Sequence, residues 1–299
     1  MNAISKSKLR AVAPKAAAPA KPKVLIFGAA GVGKTWTALD FAACYYIDTE
    51  GGANLKRYIE KLERSGGVYL GPDQGALSFD TVLEQVQLLA TQKHPYRTLV
   101  IDSVSKLFGS AVAQEAERLA DAGKKNEFGA DKKPAVGAMR RLVSWLTRLD
   151  MTVLLIAHQK EEWGLNAKGE REAIGQTFDA WDRLEYELHL CLQVIQQGNN
   201  RFAKVRKSRL ENFTKGESMP WSYEEFATRY GKETIEEDVK PIELASDEQL
   251  AEVRKLLEVV KIPDDQEAKW FTAAGVTSWP EMDAEKVDKI ISWLKGKLP

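Results

Sequence analysis

Residues 23–36 read KVLIFGAAGVGKTW, an apolar run of strand formers that breaks into glycines and closes on Lys34-Thr35. Lys23 to Phe27 is long enough for a strand buried on both faces. Gly28-Ala29-Ala30-Gly31-Val32-Gly33-Lys34-Thr35 then fits G-x-x-x-x-G-K-[ST] directly after that strand and before a helical stretch, the context in which the pattern carries chemistry. Glycines let backbone N–H groups converge on phosphate oxygens at a helix N-terminus, where the dipole favours negative charge. Gly28, Ala29, Ala30, Gly31, Val32, Gly33, Lys34, Thr35 and the adjoining Trp36 are therefore the expected phosphate cradle. Lys34 would reach the β- and γ-phosphates and Thr35 would ligate Mg²⁺, so ATP and Mg²⁺ are the expected ligands.

Outward from this loop, short apolar runs recur at Cys44 to Ile47, Thr98 to Ile101 and Thr152 to Ala157, with helix-like segments between them, such as Phe79 to Lys93 and Val136 to Leu149. Strands alternating with helices predict an α/β fold, a mostly parallel central sheet flanked by helices. Leu188 to Ile195 and Arg201 to Ser208, separated by Gln196-Gln197-Gly198-Asn199-Asn200, predict a hairpin at the sheet edge.

A Mg²⁺ ion held by Thr35 wants a second protein acid at the end of a neighbouring strand. Asp102, ending Leu99-Val100-Ile101, is placed to supply it; the alternative is an Asp that caps the next helix. Hydrolysis needs a group that orients or deprotonates water. Glu50, in YIDTEGG (residues 46–52), lies just past a strand with two glycines behind it.

Three segments together resemble the RecA/RadA recombinase family. YIDTEGG is similar to its strand-plus-glutamate motif, TLVIDS (residues 98–103) to its Walker B strand, and VLLIAHQK (residues 153–160) to a strand ending in a γ-phosphate sensor. The likeness spans roughly Lys23 to Gly216 and extends to phage-encoded, RecA-core annealing ATPases of the Sak type. It implies a RecA-like P-loop core, Glu50 as catalytic base beside Lys34, and sensing by Gln159 or by His158, which stands where the family has a small amide. RFAKVRKSR (residues 201–209) resembles the strand that supplies Lys or Arg fingers to ATP on an adjacent subunit of a ring or filament. Lys204 with Arg206 matches one such spacing and Lys207 with Arg209 another; direct DNA contact and a charge-defended sheet edge are the other readings. Two long polar loops fall where the family binds DNA: Gly123 to Lys133, with Lys124, Lys125 and Phe128, and Glu162 to Thr177, with Trp163, Lys168 and Arg171. Lysine and arginine on phosphates with aromatic stacking on bases suit single strands. The expected activity is a Mg-dependent, DNA-stimulated ATPase in recombination or annealing. A helicase or helicase loader and a regulatory ATP switch are the alternatives.

With 43 basic and 43 acidic residues the chain has no net field toward polyanions, so any such site must be a local patch. Cys44 and Cys191 belong to no metal or redox motif, and there is neither a membrane-length apolar run nor a secretory leader. The expectation is a cytoplasmic protein. Residues 1–21, Ala/Pro/Lys-rich and free of acids, read as a disordered basic tail. The core should run from 22 to 231, an acidic linker from 232 to 245 and a small helical module from 246 to 299. In that module Leu250, Val253, Leu256 and Leu257, then Val287, Ile290, Ile291 and Leu294, recur at helical spacing around Trp270, Phe271, Trp279 and Trp293. Docking of a single-strand-binding or replication protein and simple DNA affinity are both open for it.

Overall fold

The computed structural model describes residues 20–126 and 129–298. All but the last two positions of the expected tail, and Phe128 of the first expected DNA loop, lie outside the described residues. In chain order the elements are β1 (Lys23–Gly28), α1 (Lys34–Ala38), β2 (Cys44–Asp48), α2 (Lys56–Arg64), β3 (Val68–Leu70), α3 (Phe79–Thr91), β4 (Thr98–Asp102), α4 (Val104–Asp121) and α5 (Lys132–Arg148). There follow β5 (Thr152–Leu165), β6 (Arg171–Asp179), α6 (Leu184–Glu187), β7 (Leu190–Gln197), β8 (Asn200–Ser208), β9 (Ser218–Pro220), α7 (Tyr223–Tyr230) and α8 (Lys232–Glu236). The last three helices are α9 (Asp247–Val259), α10 (Gln266–Ala274) and α11 (Ala284–Lys295).

One sheet runs β3-β2-β4-β5-β1-β7-β8-β9. The strands from β3 to β7 pair in parallel, while β8 and β9 add antiparallel at the edge. Period-two side-chain direction explains why the central strands are apolar throughout. Leu25 and Phe27 of β1 enter a core with α3, α4 and α5, while Val24 and Ile26 enter a second core with α1, α2 and α7. The fold is thus the expected α/β class, a mostly parallel central sheet flanked by helices, and its strand order brings Gly28, Asp48, Asp102 and His158 to one edge of the sheet. Asp48 stands opposite Asp102 and Gly28 opposite His158 in the strand registers. That edge is where open parallel sheets place their ligands.

The expected hairpin is present and tighter than the spacing suggested, with β7 and β8 joined by Gly198-Asn199 alone. The expected second polar loop, Glu162 to Thr177, is corrected: β5 continues to Leu165 and pairs antiparallel with β6 as a ribbon beyond the sheet. Its outer half has no covered face, so polar residues occupy both sides and the apolar alternation that marks a half-buried strand is missing.

The segment expected as a linker is also more structured. It opens with α8, and Val239, Ile242 and Leu244 pack on the main core, with the Ile242 N–H donating to Ala90 O at 2.7 Å. Three apolar residues on an extended strap give no helical period, which is why it reads as a linker. Helices α9, α10 and α11 enclose an aliphatic core of Val253, Leu256, Met282, Val287, Ile290 and Leu294, and the expected aromatics flank it. Trp270 packs edge-on to Trp293 at 5.5 Å and Phe271 to Trp279 at 5.2 Å.

Candidate nucleotide site

The loop between β1 and α1 owes its path to two glycines. A Cβ on Gly28 would stand 2.3 Å from the Val194 carbonyl oxygen of β7, so only glycine lets that strand pass. Gly33, with φ of +90°, occupies the left-handed region that side chains avoid, and it turns the chain into α1. Val32 is buried in the core below and anchors the loop from beneath. Lys34 Nζ donates to Gly28 O at 2.8 Å and Ala29 O at 2.9 Å, which lays the ammonium along the cradle. Burial pulls its pKa below the ordinary lysine value, against the opposing pull of Asp102 and Glu50.

Thr35 and Asp102 meet here from 67 residues apart: Thr35 Oγ1 donates to Asp102 Oδ2 at 2.5 Å. Tyr46 OH donates to the same oxygen at 2.9 Å. Burial pushes the Asp102 carboxyl up, and the hydrogen bonds from Thr35 and Tyr46 pull against that rise. A hydroxyl and a carboxylate are the hard oxygen donors that Mg²⁺ takes when phosphates and water complete its shell. The pair fits the ion, and Asp102 is not the helix cap: Ser103 Oγ accepts from the Lys106 N–H at 3.2 Å and starts α4.

Glu50 is held by a turn that sequence reasoning passed over. Asp48 Oδ1 accepts from the N–H groups of Glu50 at 3.0 Å and Gly51 at 2.8 Å, and Oδ2 accepts from Ala53 N–H at 2.9 Å and Tyr69 OH at 3.1 Å. An Asp whose carboxylate accepts from the next few backbone amides is a recognised turn former, so the signal was present in Asp48-Thr49-Glu50-Gly51. Thr49 locks the same loop to β4, donating to Ser103 O at 3.0 Å and accepting from Ser103 N–H at 2.8 Å. The Glu50 side chain accepts from Ser103 Oγ and lies 2.5 Å from His158 Nε2. Of the two sensing candidates it is His158 that meets Glu50. Gln159 faces the other way and accepts from Gln193 Nε2 at 3.3 Å.

Along β8 and just past its end, three of the four basic candidates are engaged within the chain. Arg206 donates to Gln176 O at 2.9 Å and pairs with Glu162 at 3.1 Å, Lys207 donates to Leu188 O, and Arg209 donates to Tyr186 O. Lys204 is exposed. Arg201, on the same strand but outside the expected set, lies over the phosphate loop. A cavity of about 350 Å³ beside that loop is lined by Gly31, Gly33, Lys34, Thr35, Trp36, Arg57, Tyr58 and Arg201. Trp36 forms its wall, edge-on to Tyr58 at 5.5 Å with Lys61 Nζ 4.1 Å over its ring.

Lys124 and Lys125 are exposed between α4 and α5. The other DNA-loop candidates ride the ribbon: Lys168 in its turn, and Arg171 with its guanidinium 5.3 Å from the Trp163 ring centroid. No helix among the described residues is long and apolar enough to cross a membrane, and both cysteines are free and buried.

Comparison with known proteins agrees with this geometry in part. The crystal structure of the RadB recombinase is similar, at 15% identity and a TM-score of 0.41, over 67% of this chain and 86% of that one. A search of curated proteins found no match. The family model for an AAA domain matches residues 20–217, which takes in the phosphate loop, Glu50, Asp102, His158 and the whole of β8. The chain belongs to that family, and it carries a P-loop ATPase domain of the AAA type.

Proposed function

We propose that this chain is a Mg²⁺-dependent ATPase that acts on single-stranded DNA in phage-type recombination or annealing, working as a homo-oligomeric ring or filament. Lys34 and the loop amides bind the β- and γ-phosphates, and Glu50 takes the proton from the attacking water. Thr35 and Asp102 hold Mg²⁺, which when bound neutralises charge on the phosphates. His158 holds Glu50 in place and, as the one of the two sensing candidates that touches it, responds to the γ-phosphate. Residues 22–231 act as the motor and residues 246–299 as a docking module for a replication or single-strand-binding protein.

The observation that carries this reading is the continuity of β5. One strand runs from His158, in contact with Glu50, to Leu165 at the ribbon tip, a reach of about 23 Å at roughly 3.3 Å per residue. Trp163, half exposed and flanked by Arg171, offers a stacking face backed by a cation. The γ-phosphate site and the ribbon are thus joined by one continuous strand, bulged between Glu162 and Trp163.

ATP hydrolysis with and without single-stranded DNA, for the wild type, Lys34→Ala and Trp163→Ala, tests the proposal. DNA should accelerate the wild type, Lys34→Ala should be inert, and Trp163→Ala should keep basal turnover but lose the acceleration. Turnover indifferent to DNA would sink the DNA reading and leave the ATPase standing.

A second reading, an ATP switch that recruits a protein, is favoured by the apolar ribbon residues Leu165 and Ile174, 74% and 58% exposed, and by Glu161, Glu162, Glu170 and Glu172 around them. Acids repel phosphates and suit a protein surface.

A further inference from the structure

The cavity beside the phosphate loop is lined by three cations, Lys34, Arg57 and Arg201, and by no carboxylate. Like charges converge in this way at a cost unless an anion joins them. Lys34 has Asp102 and Glu50 near it, but among the described residues no carboxylate pairs with the Arg201 guanidinium. Its position is specific: a Cβ on Gly33 would meet Arg201 Nε at 2.5 Å and Cδ at 2.7 Å, so the arginine lies across the last glycine of the loop. Its backbone is fixed by pairing on both sides, opposite Gln196 of β7 and through its carbonyl, which accepts from Trp221 N–H at 2.9 Å.

We propose that Arg201 is a phosphate-binding residue that acts in cis, a second cationic arm that closes over the nucleotide bound by Lys34 of the same chain. The inference rests on the nucleotide-site reading above and deepens it. The basic strand was expected to reach a neighbouring subunit, yet Arg206, Lys207 and Arg209 bond within their own chain while Arg201 turns onto its own phosphate loop. A planar guanidinium matches phosphate oxygens with two parallel N–H groups, which a lysine cannot do. A cavity of about 350 Å³ is within the roughly 300–1,000 Å³ of small-molecule sites.

Calorimetric titration of the full chain with ATP, ADP and adenosine, for the wild type, Arg201→Ala and Arg201→Lys, gives the first test. Arg201→Ala should weaken ATP and ADP about ten- to a hundredfold, as loss of a charge-assisted hydrogen bond does. Adenosine affinity should not move, the lysine variant should fall between, and the melting temperature should hold because the side chain is exposed. Equal ATP affinity in wild type and Arg201→Ala overturns the proposal.

Mixing Arg201→Ala with Lys34→Ala chains decides cis from trans. Turnover no higher than the average of the two supports the cis arm, and recovery in the mixture overturns it by showing that one chain serves another's site. Failure of the wild type to bind ATP, with Lys34→Ala indistinguishable from it, would instead remove the nucleotide-site reading and the inference with it.

Discussion

At the scale of single residues, the proposed water-activating group and the group that positions its loop are different side chains. Glu50 would carry the reactive oxygen in the proposed mechanism, whereas Asp48 fixes the turn by accepting four hydrogen bonds. Glu50→Gln should cut turnover by about 10²–10⁴-fold, the usual contribution of a general base, with ATP affinity kept. Asp48→Asn retains the shape but weakens the acceptor, so it should lower both turnover and the melting temperature. Loss of one charged hydrogen bond costs about 1.5–3 kcal/mol. Steady-state kinetics beside thermal melts separate the two, and an Asp48→Asn chain as active as wild type would deny Asp48 its positioning role. The phosphate loop, Asp102 and Glu50 were legible because each motif is contiguous and its chemistry is local. The contact of His158 with Glu50 was not, since it spans 108 residues and depends on which strands become neighbours. Arg201 was read only as one charge among several for the same reason.

Among the elements, β1 bears a cost at its first residue. Lys23 is buried, and its Nζ donates to Leu149 O at 2.8 Å and Met151 O at 2.5 Å. Burial draws its pKa from 10.5 down to about 7, although Asp150 pulls the other way. Between those two values the unfolded chain binds more protons than the folded one, so this group adds stability as pH rises from about 7 to 10.5 and withholds it below. The slope is at most about 1.4 kcal/mol per pH unit. Buried Cys44 and Cys191, whose thiols burial pushes up, work in the opposite direction at alkaline pH. Subtracting a Lys23→Met stability profile from that of the wild type isolates the lysine: the difference should climb through this window, and a flat difference would rule out the depressed pKa. The ribbon poses a separate question of order. Arg206 staples it to the sheet through Gln176 O and Glu162, and the ion pair is partly exposed, worth about 0.5–1 kcal/mol. Arg206→Ala should therefore leave global stability nearly unchanged while speeding amide exchange along β6. The ribbon escaped sequence reading because a strand without a covered face shows no alternation, and its turn residues Asn166 to Glu170 resemble any polar loop.

For the whole molecule, charged pairs join the C-terminal helices to the ATPase domain. Arg141 and Arg148 on α5 meet Glu281 and Asp283, each pair at 2.6 Å, and Arg148 also donates to Glu281 O at 2.9 Å. Burial opposes ionisation of Glu281, but hydrogen bonds from Thr277 and Arg141 outweigh it and hold the carboxyl below its usual range. Asp283 is lowered likewise, burial being outweighed by Lys286 and Arg148. Acids with depressed pKa values support the docked state above their ordinary 4.5 and 3.8 and lose that support as pH falls further. The helices should thus undock in acid before the sheet unfolds, because the sheet is held by two apolar cores that do not titrate in the acid range. Arg148→Ala should favour the same undocking at neutral pH, at a cost of about 1.5–3 kcal/mol for the lost charge-assisted hydrogen bonds, since Asp283 keeps Lys286 as a partner at 2.6 Å. Arg148 lies over Trp145, 4.4 Å from guanidinium to ring, so its removal would alter the indole emission by itself, and amide exchange along α9 to α11 is the readout of release. If ATP hydrolysis changes when the helices undock, while the core melts at the same temperature, the module regulates the motor. If hydrolysis is unaffected, the module does not regulate the motor.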